Sequence, residues 1–433
     1  MNQDADQNNP QTKSFEYRLL KFGFCTLLLY LIALFINHGP HNIFIALSAL
    51  TGLTFVLSNP KKHFSNYIED KHFFLALLAY VGFYILFNLY HLNTFDDLVF
   101  AFERVRWVSY ALLIFPMTRQ IVIQRVYKDP SLLKFKYLFL TAALFLSTLI
   151  FADSISRVLY GQPFTAKWFS NLSTHYYTRA SWTYNPIPFS QLSFFASVIF
   201  FLAAWKLWTN RFKLAVVFLT TGAGMLAVTL FTQTRATWLS FILFLGSLFL
   251  FHKRSRQKIS TFAFAMVLMI SLSGENELKT RLKSISSQTK FSNVYRKEHW
   301  IANLKLAKEN LVTGVGYAEN RKPAVIDPYL KKFTKKTHLL YGHSHNEYLD
   351  VLSGMGAAAF LIFLFILAYP VITLICSRKE KDLPMAACIS FLCFIYSAAF
   401  FDLISLTSWS TIIVAGYFCL LYKNFTHEDN IRL

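Results

Sequence analysis

The chain has 433 residues, 55% of them hydrophobic, with mean hydropathy +0.38 and formal net charge +20. Apolar runs recur along its whole length, which excludes an ordinary soluble chain and describes an all-α polytopic membrane protein, since each span needs roughly 20 mostly apolar residues. All five cysteines (Cys25, Cys376, Cys388, Cys393, Cys419) fall in apolar runs, so neither a disulfide framework nor a cysteine metal site is suggested.

In chain order, residues 1–17 form a polar tail, and no cleavage signal follows it, so the first span is expected to be retained. Twelve spans are expected at about 18–37, 40–58, 71–90, 98–118, 134–154, 187–207, 212–231, 234–251, 257–273, 346–374, 383–400 and 403–422. Lys61, Lys62 and Lys71, then Arg125, Lys128 and Lys134, then Lys253, Arg254 and Arg256, then Arg378, Lys379 and Lys381 load alternate loops. The intervening loops Asn37–His41 and His91–Asp97 carry neither lysine nor arginine. That asymmetry predicts cytoplasmic termini. The organisation is spans one to nine over 18–273, an external loop over 274–345, spans ten to twelve over 346–422, and a cytoplasmic tail over 423–433.

Two expected outer segments break the charge rule. Residues 154–186 mix Arg157, Lys167 and Arg179 with Tyr160, Trp168, Phe169, Tyr176, Tyr177, Trp182 and Tyr184. Rings with cations suit a sugar face or a lipid phosphate, and equally an interfacial aromatic belt. Arg235, in Thr234-Arg235-Ala236 at the start of span eight, puts a guanidinium at the outer membrane edge. A cation there is costly unless paired, and its planar fork matches phosphate oxygens; the alternative is an arginine snorkelling to headgroups.

The external loop is strongly basic, an attraction for anionic lipids or phosphorylated glycans. Within it Val294, Trp300, Ile301, Leu304, Ala307 and Leu311 recur at helical spacing, predicting an amphipathic helix that ends near Thr313-Gly314 and packs that face on the bundle. Arg296 lies near the start of this helix.

Ser344 followed by Glu347 predicts a capping box, with Ser344 as N-cap and His345 as first helical residue. The positive end of the helix dipole disfavours imidazolium, which suits His345 to accept a proton; the alternative is a histidine that anchors the helix. Gly354, Gly356 and Ala357 to Ala359 give that helix a small-residue face. His343 and His345 with Glu347 and Asp350 are weak evidence for a metal. Asp402, between the last two spans, could orient a base, pair with an arginine, or stand exposed in the loop. There is no Walker loop, dinucleotide fingerprint or serine nucleophile elbow, so no use of ATP is indicated.

Arg296 with Trp300, then Val312-Thr313-Gly314-Val315-Gly316-Tyr317, then His345-Asn346 with Gly356 after nine intervening residues, resemble the shared core of the O-antigen ligase and polymerase superfamily. Thr234-Arg235-Ala236 is similar to that family's arginine at an outer membrane edge. The resemblance covers about 235–360 and is closest to the lipopolysaccharide O-antigen ligases. Ala359 departs from it, standing where the ligase pattern usually has a second glycine, and Asn185-Pro186 after Arg179 matches an Asn-Pro motif only loosely.

The resemblance implies a bacterial inner-membrane glycosyltransferase with a periplasmic active site, working by inversion without metal or other cofactor. The donor would be a glycan on undecaprenyl diphosphate and the acceptor a hydroxyl of lipid A–core oligosaccharide, among membrane lipids and with no nucleic acid. His345 would be the base, with Arg235 and Arg296 catalytic and donor-binding. Arg179, His343, Trp300 and Asp402 would complete the substrate contacts. An O-antigen polymerase or protein O-oligosaccharyltransferase of the same superfamily, and a non-enzymatic lipid-glycan transporter, are the other readings. The transporter predicts charges deep inside several spans, whereas here they crowd the outer edge.

Overall fold

The computed structural model describes residues 10–33, 38–64, 71–91, 109–160 except 111 and 122, 186–264 except 233, 254–255, 258 and 262–263, 291–330 except 317–318, and 344–401 except 377–382. The described residues are helical or irregular, with no strand among them. The long helices are α1 (Pro10–Ala33), α2 (His38–Ser58), α3 (Lys71–Tyr90), α4 (Leu133–Tyr160), α5 (Pro186–Leu207), α6 (Phe212–Phe231), α7 (Arg235–Phe251), α8 (Phe291–Glu309), α9 (Glu347–Cys376) and α10 (Leu383–Phe401). Four segments are long and apolar enough to cross a membrane: 130–156, 189–207, 212–231 and 347–376. The expected span at 403–422 lies outside the described residues, and those at 98–118 and 257–273 lie largely so.

The chain forms two compact units, Met1–Lys71 with Ser109–Thr232 and His72–Val108 with Gln233–Leu433. In the first, α5 and α6 pack along each other and α4 lies on α6, around Ile150, Phe189, Phe200, Phe218, Met225 and Val228. Apolar side chains of this size, buried together, supply the main attraction that water-excluded packing can give. Between α1 and α2, the Ser48 hydroxyl donates to Thr26 Oγ1 at 2.9 Å, a small polar pair that lets two apolar helices approach. At one end, Lys21 meets Asp129 at 2.7 Å and Lys62 meets Glu16 at 2.7 Å. These pairs gather the start of α1, the 59–64 turn and the 124–132 turn, all of which the charge pattern assigns to one side.

In the second unit α10 packs on α7 and α9. Leu374, Met385, Ile389 and Leu392 form its lower core. α3 lies along the second half of α9, with Phe73 stacked on Tyr369 at 5.7 Å and Tyr80 against Phe363 at 6.3 Å. α8 has a small core of its own: Ala302 and Leu306 pack against Ile326 and Leu330 of the 319–330 turns.

Two expectations about helices are corrected here. The buried face of α8 is His299, Ala302, Asn303, Leu306 and Ala307, whereas Ile301, Leu304 and Leu311 of the expected apolar face are 37%, 51% and 52% exposed. The reason is that the facing segments present Ser353 and Asn320, whose side chains bond Asn303 Oδ1, a partnership that a leucine could not make. The span predicted as one helix over 346–374 is two. Gly356 has φ +76° and ψ 179°, a conformation open essentially only to glycine, and α9 changes direction there.

The break frees carbonyls and an amide that an intact helix would pair, and residues 311–316 take them up. Val315 N–H donates to Ser353 O at 3.1 Å, Gly316 N–H to Gly354 O at 2.9 Å, and Ala357 N–H to Leu311 O at 2.8 Å. The approach is close enough that a Cβ on Gly356 would lie 2.3 Å from the Val312 carbonyl oxygen, and one on Gly314 would lie 2.3 Å from the Gly354 carbonyl carbon. The small-residue face therefore receives a stretch of irregular backbone. Gly356→Ala should destabilise the protein by about 2 kcal/mol or more, read as a lowered unfolding midpoint in detergent. Gly246→Ala, on α7 with nothing within 4 Å of its Cβ position, should leave that midpoint in place.

Candidate functional site

The site is built where α8 meets the start of α9. Asn346, and not Ser344, caps α9. Its side-chain Oδ1 accepts from Leu349 N–H at 3.1 Å and its carbonyl accepts from Asp350 N–H at 3.0 Å, so the first helical residue is Glu347. The Ser344-to-Glu347 pattern misled because Asn346, an equally good cap, lies two residues nearer the helix, while the Ser344 hydroxyl is engaged by Asp350.

His345 is consequently outside the helix, at φ +52°. A non-glycine residue in the left-handed region costs roughly 1–2 kcal/mol, so its neighbours must hold it there. On one side, Ser344 donates its hydroxyl to Asp350 Oδ1 at 2.5 Å and its amide to the same oxygen at 3.3 Å, while its carbonyl accepts from Trp300 Nε1 at 2.9 Å. On the other side, Asn346 N–H donates to Ser344 Oγ at 3.1 Å. Ser344, Asn346 and Asp350 are buried, and His345 between them is partly exposed. The chain arches at His345, whose imidazole is partly exposed beside buried neighbours.

Asp350 anchors the arch and is itself tied to Arg321. The Arg321 Nε and a terminal nitrogen reach Asp350 Oδ2 at 2.9 and 2.6 Å. Beneath them lies a buried amide network. Asn320 Nδ2 donates to Ser353 Oγ at 2.7 Å, and Ser353 Oγ in turn reaches Asn303 Oδ1 at 2.8 Å. His91, just beyond α3, donates to the Gly314 carbonyl; burial holds its pKa below the ordinary histidine value against the opposing pull of that bond and of Glu319.

Along α8, the Tyr295 ring stands edge-on to the His345 ring at 6.0 Å and lies 4.3 Å from that of His299. Burial pushes the Tyr295 phenol above its ordinary pKa, so it stays neutral at any working pH. Successive helical residues are about 100° apart, which sets Arg296 between the line of Tyr295 and His299 and the line of Trp300. Arg296 is partly exposed and has no hydrogen-bond or ion-pair partner among the described residues. Two arginines thus sit near the arch in opposite conditions: Arg321 is neutralised by a buried carboxylate, and Arg296 is not.

Of the residues singled out by the sequence, the structure places Trp300 against Ser344, the neighbour of His345, and Arg296 on α8 next to Tyr295, whose ring meets that of His345. Arg235 is the first residue of α7, after Thr234, and its side chain lies outside the described residues, as do Arg179, His343 and Asp402 altogether. Sequence reasoning missed Arg321, Asn303 and Asn320. Asp350 it had weighed only as one member of a weak metal set. No local signal in the sequence links Arg321 to Asp350, 29 residues further along the chain.

The two arginines separate experimentally. Arg321→Met strands the Asp350 carboxylate, 1% exposed, and should cost about 3 kcal/mol or more of stability. Arg296→Met should leave the unfolding midpoint within about 0.5 kcal/mol of the parent, because nothing described depends on it.

The family model described as O-antigen ligase matches residues 220–364, a stretch that holds Arg235, all of α8, the 311–316 segment, the His345 arch and the break at Gly356. Arg179 and Asp402 lie outside it. No curated protein matches the chain. Over residues 220–364 the chain is thus similar to the O-antigen ligase family.

Proposed function

We propose that the protein is an inner-membrane O-antigen ligase that moves a glycan from undecaprenyl diphosphate to a hydroxyl of lipid A–core oligosaccharide at the periplasmic face. The observation that carries this reading is the α8–α9 junction, where the guanidinium of Arg296, without a partner among the described residues, is carried next to Tyr295, whose ring meets the His345 imidazole at 6.0 Å. Glycosyl transfer from a lipid diphosphate asks for these two elements. One group takes the proton of the attacking hydroxyl, and cations meet the charge that grows on the leaving diphosphate.

His345 takes the acceptor hydroxyl's proton as its oxygen attacks the anomeric carbon. A new glycosidic C–O bond forms on the face opposite the departing oxygen, the old C–O bond breaks, and its electron pair stays on the diphosphate. Inversion follows from that single displacement. Arg296, joined by Arg235 at the head of α7, binds the diphosphate; Arg179, His343, Trp300 and Asp402 contact the substrates. No nucleotide enters, because the activated bond is already present in the donor. Ala359 in place of a second glycine weakens the choice of ligase over the other reading, an O-antigen polymerase or protein O-oligosaccharyltransferase of the same superfamily. Deleting the gene separates them: loss of a ligase leaves full polymer on the lipid carrier, and loss of a polymerase leaves single repeats.

With purified protein in proteoliposomes, His345→Gln should lower transfer at least about 10²-fold while lipid-diphosphate binding persists. Transfer above a tenth of the parent rate, in folded protein, would reduce His345 to a helix anchor. Arg296→Lys and Arg235→Lys should each recover little activity, because a point charge lacks the bidentate fork. Activity should survive excess EDTA; loss that a divalent ion restores would return His343 and His345 to a metal site.

A further inference from the structure

We infer that Asp350, Arg321 and Ser344 form a positioning clamp whose task is to hold the His345 imidazole outside the helix, in line with the acceptor hydroxyl. This rests on the reading of His345 as the base and adds residues that the reading does not include.

Asp350 is not itself placed to move a proton. It is 1% exposed, and both its oxygens are committed: Oδ2 to the Arg321 fork at 2.6 and 2.9 Å, and Oδ1 to the hydroxyl and amide of Ser344 at 2.5 and 3.3 Å. A carboxylate saturated in this way is a rigid acceptor. It grips the residue immediately before His345, and Trp300 grips the carbonyl of that same residue at 2.9 Å. The residue immediately after His345 is fixed as the α9 cap. Two pinned neighbours leave His345 one backbone conformation, the left-handed one at φ +52°. Arg321 in turn comes from the turns that close the α8 core, through Asn320, whose amide reaches Ser353 one turn along α9. The clamp therefore couples the fold of the external segment to the direction of a single side chain.

Geometry of this kind acts on the chemical step and leaves substrate binding alone, and a displacement of about 1 Å at a reacting group can cost about 10²-fold in rate. Arg321→Gln combined with Asp350→Asn replaces the ion pair with a neutral pair and so avoids stranding a buried charge. In proteoliposomes this double variant should lower kcat roughly 10-fold to 100-fold with KM for donor and acceptor unchanged. Ser344→Ala, which removes the hydroxyl bonds to Asp350 and from Asn346 N–H, both part of the clamp, should lower kcat about 10-fold in the same way and carries the test if the double variant fails to accumulate.

The decisive comparison uses His345→Gly, whose backbone accepts the left-handed conformation, with imidazole supplied in solution as the base. A free base does not need the clamp, so Ser344→Ala should change the imidazole-restored rate less than about twofold, against its roughly 10-fold effect when His345 is present. An equal loss in both backgrounds would show a general structural role and overturn the inference, as would Ser344→Ala at the parent kcat. If His345→Gly without imidazole retains the parent rate, the base reading itself falls. If it is inactive and imidazole restores nothing, the comparison passes to His345→Gln, where Ser344→Ala should add no further loss; an additive loss there overturns the clamp.

Discussion

A helix that stops and restarts must find partners for the backbone groups it releases, and this requirement organises the junction of α8 and α9. At Gly356 α9 gives up its internal pairing, and the 311–316 segment restores it through three backbone hydrogen bonds at 2.8 to 3.1 Å. Those bonds need an approach that excludes a Cβ at Gly314 and at Gly356. They also fix the end of α8, because Gly314 N–H closes back on Asn310. Once α8 is fixed against α9, Trp300 reaches Ser344 and Tyr295 reaches His345. The side chains with chemistry are thus downstream of a main-chain constraint.

Electrostatics then divides the cap's cations by what they already hold. Residues 274–345 are strongly basic, and the lysines described on α8, Lys297, Lys305 and Lys308, are exposed, where water and salt screen them. Burial sets Arg321 apart by pairing it with Asp350, and the lack of a described partner sets Arg296 apart in the opposite sense. A positive surface can draw in an anionic lipid-linked substrate over distance, while a single accessible fork gives it one orientation.

Much of this was legible in the sequence, and the reasons for the failures are specific. Long apolar runs announce helices without reference to partners, so α4, α5, α6 and α7 fall within a few residues of their expected limits. Helix α8 was legible in extent but not in facing. Periodicity assumes that the buried face is apolar, and here Asn303 and His299 are buried while Leu304 is exposed. Ser344 was singled out correctly for a hydroxyl with a structural task, but that task is to hold Asp350 and not to cap a helix. The Arg321–Asp350 pair joins residues that only the folded chain brings together. No local pattern in either segment names the other.

The break at Gly356 also gives meaning to the spacing between His345-Asn346 and the glycine. The intervening stretch Glu347–Met355 is about two and a half helical turns, or about 13 Å of rise, standing on a second half-helix of about 20 residues, which matches the thickness of a bilayer core. Seen this way, the first half of α9 is a ruler. It fixes how high above the apolar half-helix the imidazole stands and toward which compass point it faces. One residue more or less would change the height by only about 1.5 Å but would swing the imidazole by about 100°. The length of that stretch is therefore set by rotation far more strictly than by reach.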